Sequence, residues 1–262
     1  MEAVAATAAP ADEVVGARPQ AGDREAFVAL YGPHFEGVYD YAFRVARDRE
    51  VAADVVVETF AKARRAFPEQ GNEVAAWLFT TAHTCALDAV RYRRDRNGSE
   101  REALNFTRVV GERVPDASVL FDRELVELVW DTAASLPLEE YSLLALEVRH
   151  DLSAEAIGDQ LGLNGTLSSR LTRTRCAFDE HVTTELVLRR GRHNCAELEI
   201  LAAGGGMREA SQHIRRCSRC QESQSRFVSP TQVLGSLAQI APAEKLRRDI
   251  FGASRRRLFG RR

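Results

Sequence analysis

Three ligand-type side chains stand together in the last quarter of the sequence: His213, Cys217 and Cys220, spaced i, i+4 and i+7. On a helix that spacing brings an imidazole and two thiols onto one face, where they can share a single ion. A tetrahedral site needs a fourth ligand, for which Cys195 stands first and His193 second. Such a set suits zinc, and four protein ligands that close the coordination sphere make the metal structural. Exposed thiolates would make it oxidant-sensitive as well, metal leaving as disulfides form; free or redox-active thiols are the alternative reading. The other two cysteines, Cys85 and Cys176, fall at inward positions of apolar patterns and read as core.

Three charged groupings offer binding chemistry. Asp54, Glu58 and Lys62 recur every four residues beside an apolar stripe, which makes a polar ridge on a rigid helix; an ordinary solvated face is the alternative. Arg91, Arg93, Arg94 and Arg96 put four cations within six residues, suited to nucleic-acid phosphates or to a solvated helix end facing the dipole. Thr166, Ser168, Ser169, Arg170, Arg173 and Arg175 place hydroxyls and guanidiniums at the start of another helix, where they can meet phosphates and base edges in a major groove. No catalytic grouping accompanies them: His34, His83, His150 and His181 are scattered, with no nucleophile motif or phosphate-binding glycine loop nearby.

The elements that must position these residues are helical throughout. Phe27, Leu30, Tyr31, Phe35, Val38, Tyr41, Ala42 and Val45 predict one amphipathic helix from Asp23, with Asp23 as its cap. A second carries Val51, Val55, Val56, Thr59, Phe60 and Ala63 inward and ends at Pro68 and Gly71. A third runs from about Val74 to Tyr92 and buries Trp77, Leu78, Thr81, Ala82, Cys85, Ala86 and Ala89. After a mixed stretch come helical patterns from Asp122 to Leu136, Leu138 to His150, Ser153 to Leu161, and Gly165 to Leu188. Ser153 caps the third of these, and the run Leu161-Gly162-Leu163-Asn164 gives the layout helix, glycine turn, helix. Two short apolar patches, around 231–240 and 243–251, are too small for a core of their own and need a surface to lie on.

The stretches Asp54 to Arg64 and Ala76 to Arg91 resemble region 2 of bacterial extracytoplasmic-function (ECF) sigma factors, members of the sigma-70 family. Leu136-Pro137 through Arg175 is similar to their region 4. The resemblance implies an all-α chain: a mobile leader over 1–22, a region 2 bundle over 23–98, a linker over 99–121, a region 4 helix-turn-helix over 122–190, and a C-terminal part over 191–262. It also implies that Asp54, Glu58 and Lys62 bind core RNA polymerase. Promoter contacts then fall to Thr80, His83, Thr84, Arg91, Arg93 and Arg94, and to Thr166, Ser168, Ser169, Arg170 and Arg173, with an extruded base held at the 68–74 loop. Trp77 lies on the apolar stripe and reads as core. Thr80, His83 and Ser168 stand where the family commonly has basic residues, which removes phosphate contacts and flattens the salt dependence of binding. The His-x3-Cys-x2-Cys run with Cys195 upstream resembles the zinc domain of anti-sigma factors, which implies a fused regulator acting on the chain's own sigma domains or on contacts with polymerase.

Composition agrees with this class. The 262 residues are 45% hydrophobic, 28% charged and 7% aromatic, which suits a helix-rich globular chain and excludes fibrous and wholly disordered ones. Net charge is −2, so any attraction to DNA must come from local patches. No stretch approaches the roughly 18 apolar residues of a membrane span, and no secretion signal is visible, so the expected location is the cytoplasm without membrane contact. A stand-alone helix-turn-helix regulator, and a degenerate sigma-like inhibitor of polymerase or of another sigma, are the rival readings.

Overall fold

The computed structural model describes residues 21–67, 74–97, 123–163 and 165–252, with the side chains of 21–23 and 94–97 outside the description. Every regular element among these residues is helical. The expected leader, linker, 68–73 loop, Asn164 and terminal arginines lie outside the described residues.

The first lobe is a bundle of α1 (Ala21–Tyr31), α2 (Phe35–Ala46), α3 (Arg49–Ala66) and α4 (Val74–Asn97). The single helix expected from Asp23 to Val45 is in fact two, separated by a 3-10 turn at Gly32–His34. Pro33 is the cause: it has no N–H to donate and its ring clashes with the preceding turn, so the apolar stripe continues across a break. Asp48 caps α3 by accepting from the Glu50 and Val51 amides at 2.8 and 3.0 Å. Val55, Val56, Phe60 and Ala63 of α3 face Phe35, Val38 and Ala42 of α2 and Leu78, Ala82 and Ala86 of α4 in one core.

The second lobe comprises α5 (Arg123–Ser135), α6 (Leu138–His150), α7 (Ala154–Leu161) and α8 (Leu167–Leu186). Ser153 caps α7 as expected, its hydroxyl accepting from Ala156 N at 3.1 Å. Gly162, at φ 67°, ends α7 in the left-handed region that glycine enters without strain, and this turns the chain sharply into α8. The buried stripe of α8 is Leu167, Leu171, Phe178, Val182 and Leu186. Cys176 lies off that stripe and is exposed, which corrects its reading as core; Cys85 is buried.

From α8 the chain passes through a π turn (Val187–Gly191) and a 3-10 turn (Arg192–Asn194) into three short helices, α9 (Ala196–Ala203), α10 (Met207–Ile214) and α11 (Ser218–Gln224). Their small core is Cys195, Leu198, Ala210, Ile214 and Cys220 with Val187. Residues 230–252 then leave this unit as a strap, α12 (Pro230–Ser236) and α13 (Glu244–Phe251). The strap is where the two orphan apolar patches find their surface: Val233, Leu234 and Leu237, then Ile250 and Phe251, join the main core. Leu246 and Ile240 pack at its margin.

The lobes meet along a seam. Helices α6 and α7 of the second lobe lie against α4, and α6 also against α2. The sequence shows one apolar stripe on α4, but the structure buries two, because Phe79, Thr80, His83, Leu87 and Val90 turn inward as well.

Candidate polymerase, DNA and metal sites

On α3, Asp54 and Glu58 are exposed, and Glu58 pairs with Lys62 at 3.0 Å. Lys62 is half-buried and its Nζ also reaches Cys85 Sγ at 3.2 Å. The ridge is therefore open to a partner at its acidic end and anchored to the bundle at its basic end.

The residues expected to meet DNA separate into two groups. Thr84 and Arg91 on α4, and Thr166, Ser168, Ser169 and Arg173 on α8, are exposed. Thr80 and His83 are not: they are 4% and 7% exposed, which corrects their placement on an open DNA face. The Thr80 hydroxyl donates to the Ala76 carbonyl at 2.7 Å, and His83 Nδ1 lies 2.8 Å from the Tyr41 hydroxyl. Their burial follows from the seam. Burial also lowers the His83 pKa to about 4, so the ring is neutral at pH 7.

Three of the arginines expected to meet DNA, Arg91, Arg93 and Arg170, are engaged by carboxylates. Arg91 Nη2 lies 3.2 Å from Glu139 Oε1, and Arg170 Nη2 lies 3.3 Å from the other oxygen of the same carboxylate. Arg170 Nε pairs with Glu140 at 2.7 Å, and Thr174 donates to Glu140 too. Arg93 pairs with Asp48 at 2.8 Å, while the side chain of Arg94 lies outside the described residues. Glu139 and Glu140 thus occupy guanidiniums that the sequence resemblance assigns to DNA contact. Sequence reasoning missed them because two acids in the first turn of a helix read as ordinary dipole partners.

The metal-ligand candidates do converge. Cys195, His213, Cys217 and Cys220 bring their ligand atoms within 4.8 Å of one another. Cys195 Sγ lies 3.2 Å from His213 Nε2 and 4.0 Å from Cys217 Sγ. A tetrahedral zinc with Zn–S about 2.3 Å and Zn–N about 2.0 Å separates its ligands by roughly 3.5–3.8 Å, so the Cys195 pairs need shifts of a few tenths of an ångström and a spread of up to 4.8 Å closes by about 1 Å as the ion is taken up. His193 stays outside, 66% exposed and paired with Glu199 at 3.2 Å.

The three downstream ligands do not share one helix as expected. The helix breaks after Ile214, His213 closes α10, Cys217 stands in extended conformation before α11, and Cys220 lies within α11. The break lets Cys217 receive the amides that open α11: the Cys220 and Arg219 N–H groups hold its thiol down to about 7. Burial pushes the Cys220 thiol up to about 12. His213 Nδ1 lies 3.3 Å from Glu197 Oε1, a carboxylate that fixes which ring nitrogen faces the sulfurs. Glu197 stands two residues after Cys195, a proximity that sequence reasoning could have used.

The Sigma-70 region 2 family matches residues 30–96, the helices of the first lobe. The chain is 32% identical over 165 residues to the ECF RNA polymerase sigma factor BldN of Streptomyces coelicolor, an alignment covering 60% of this chain and 61% of that protein. It is 31% identical over 158 residues to the ECF RNA polymerase sigma factor SigL of Mycobacterium tuberculosis, covering 55% of this chain and 81% of SigL. The chain belongs to the ECF sigma factors. SigK of a Mycobacterium species is 29% identical over 157 residues, 79% of its length. No solved structure matches. Sigma factors are transcription initiation factors without catalytic activity, so this ECF sigma factor is not an enzyme. None of its helices, among the described residues, is long and apolar enough to cross a membrane.

Proposed function

We propose that this sigma factor recruits core RNA polymerase to a small set of promoters from the cytoplasm, with the first lobe as region 2, the second as region 4, and residues 191–262 as a fused regulatory part. The carrying observation is the region 2 match on a bundle whose Asp54 and Glu58 are exposed. Support for region 4 is the α7, Gly162, α8 layout with Thr166, Ser168, Ser169 and Arg173 on its open face. The Cys3His cluster is read as a structural zinc site, similar in spacing to that of anti-sigma factors.

The test is binding to reconstituted core polymerase followed by run-off transcription. The double variant Asp54→Arg, Glu58→Arg is expected to weaken core binding at least tenfold while leaving helicity unchanged, since both side chains point to solvent. No binding by the native chain would overturn the reading. A second reading has a specific observation behind it: Thr80 and His83 bring no positive charge to α4 and are buried, as in a sigma-like chain that binds polymerase and blocks initiation. Core binding without transcripts, under conditions that open the seam, would favour that inhibitor. The full chain is the material of choice, because removing 191–262 would strip Val233, Leu234 and Phe251 from the main core.

A further inference from the structure

We propose that residues 234–240 of the strap are a latch that holds the two lobes closed over α4, and that this latch, not the metal cluster, must release before promoter DNA reaches that face. The inference rests on the sigma reading for what DNA would do there, but the latch itself stands on geometry.

Asp40 of α2 is 0% exposed, and the side chain of Arg149, at the end of α6, is 2% exposed. They pair across the seam at 2.8 Å, joining the lobes. Neither is satisfied by the other alone. Asp40 also accepts from Arg44 Nε at 2.8 Å and from the Ile240 amide of the strap at 2.9 Å. Arg149 donates to the strap carbonyls of Leu234 and Leu237 at 2.6 and 3.2 Å, and Arg44 donates to that of Ala238 at 3.1 Å. Arg44 also stacks on Trp130 of α5, 3.9 Å from the ring centroid.

A buried ion pair repays its desolvation only when its remaining donors and acceptors are met. Here the strap backbone meets most of them, supplying one donor and three acceptors, and of the Arg149 nitrogens Nε is left without a partner among the described residues. With the strap gone, two guanidiniums and a carboxylate would face each other across a dry seam with half their partners missing, and water would be drawn in. Lobe closure and strap binding are therefore one cooperative event. Other polar contacts across the seam are fewer and more peripheral: Arg47 donates to the Ala134 carbonyl at 3.1 Å, Tyr41 reaches the Ser142 carbonyl at 3.4 Å, and Arg91 meets Glu139 in solvent.

Each end of the strap is held by a different lobe. Val233 and Leu234 are buried with α5, α6 and α8 of the second lobe, and Asp179 of α8 accepts from the Thr231 amide at 2.8 Å. On the first lobe, Phe251 sits among Phe27, Phe35 and Phe60, while Arg24 and Arg64 grip the carbonyls of Phe251 and Ile250. A segment tethered at both ends meets the seam at high effective concentration. Gly235 permits the approach, because a Cβ there would lie 2.8 Å from the Val148 carbonyl of α6. The Asp54 and Glu58 ridge stays uncovered, whereas Thr80 and His83 are shut in. The latch thus governs the Thr80 and His83 face of α4 and leaves the polymerase side available.

Two variants in the strap itself test this in the metal-loaded full chain: Gly235→Val, which pushes α12 off α6, and the milder Ile240→Pro, which deletes the amide that Asp40 accepts. Hydroxyl-radical footprinting should show modification of Leu234, Tyr41 and His83 rising at least tenfold together, with a larger radius of gyration by small-angle scattering and bound metal unchanged. Exposure of Leu234 while Tyr41 and His83 stay protected would overturn the latch, and so would protection of Leu234 in both variants. These readouts need no polymerase. Opened lobes with no promoter complex on core enzyme would instead count against the sigma reading.

Discussion

Cys220→Ser is expected to take bound zinc from a full equivalent per chain to none and to unfold α9–α11, while both lobes keep their helicity. The three helices have 8, 8 and 7 residues, each below the roughly 12–15 at which an isolated helix is even marginal in water. Their apolar core is six residues, two of them ligand cysteines and one an alanine. A unit this small, under about 40 residues, lacks the buried area to offset its own chain entropy. A structural zinc contributes about 10–16 kcal/mol in small metal-folded peptides, enough to dominate that balance. Serine cannot replace the thiolate, so the variant loses the metal and with it the fold of residues 195–224.

Elemental analysis gives the metal content, and hydrogen exchange resolved by segment gives the unfolding; a strong chelator on the native chain should reproduce both. Retained metal, or α9–α11 amides as protected as in the native chain, would contradict the prediction. The strap should largely hold: Phe227 touches both cores and will loosen, but Asp179 still caps α12 and Asp40 still receives Ile240. Metal loss and seam opening are thus separable, which distinguishes a metal that staples its own small unit from one that locks the lobes.

Helix periodicity made most of the elements legible, because apolar residues three and four apart leave a readable trace: α3, α5, α6, α7 and α8 stand where their stripes put them. Local chemistry was legible too, as the Ser153 cap and the convergence of Cys195 with His213, Cys217 and Cys220 illustrate. What the residues did not announce is how the lobes face each other. Phe79, His83 and Leu87 look like a second, weaker face of α4, and only the arrival of α6 and α7 makes that face a core. Asp40 and Arg44 stand four apart on α2, yet Arg149 lies 109 positions away from Asp40 and Ile240 lies 200 away. Separations of that size leave no periodic signature. Cys176 was misplaced because a cysteine is apolar enough to be read as core wherever it falls near a stripe.

Acidification should open the seam, with half the effect reached near pH 5. His83 and His150 both lie in it. Burial lowers the His83 pKa to about 4, with Glu139 opposing and Arg91 and Arg170 adding to the shift; burial lowers that of His150 to about 3, with Asp40 opposing and Arg149 and Arg44 adding. His150 stacks on Phe79 of α4 at 4.1 Å between centroids and meets the Tyr41 ring edge-on at 5.6 Å. Its Nε2 is buried with no hydrogen-bond partner among the described residues, so a proton there would bring an unsolvated charge. Once the lobes part, both rings face water and regain the ordinary value of 6.5.

The open form therefore binds protons that the closed form refuses. Closure is fully favoured above pH 6.5 and loses ground as pH falls toward 4 and then 3. Linkage over these values weakens closure by about 3 kcal/mol at pH 5.5 and about 6 kcal/mol at pH 4 for the two rings together, comparable with the whole stability of a domain. Asp40 acts outside this window, since Arg44 and Arg149 outweigh its burial and hold its carboxyl below the usual carboxylate range. Trp130, buried at the seam under Arg44, reports the change as a red shift in fluorescence. The variant His83→Gln, His150→Gln should keep native-like emission about one pH unit further into acid. An unchanged acid midpoint in that variant would assign the transition to groups elsewhere and remove the histidines from the seam's pH response.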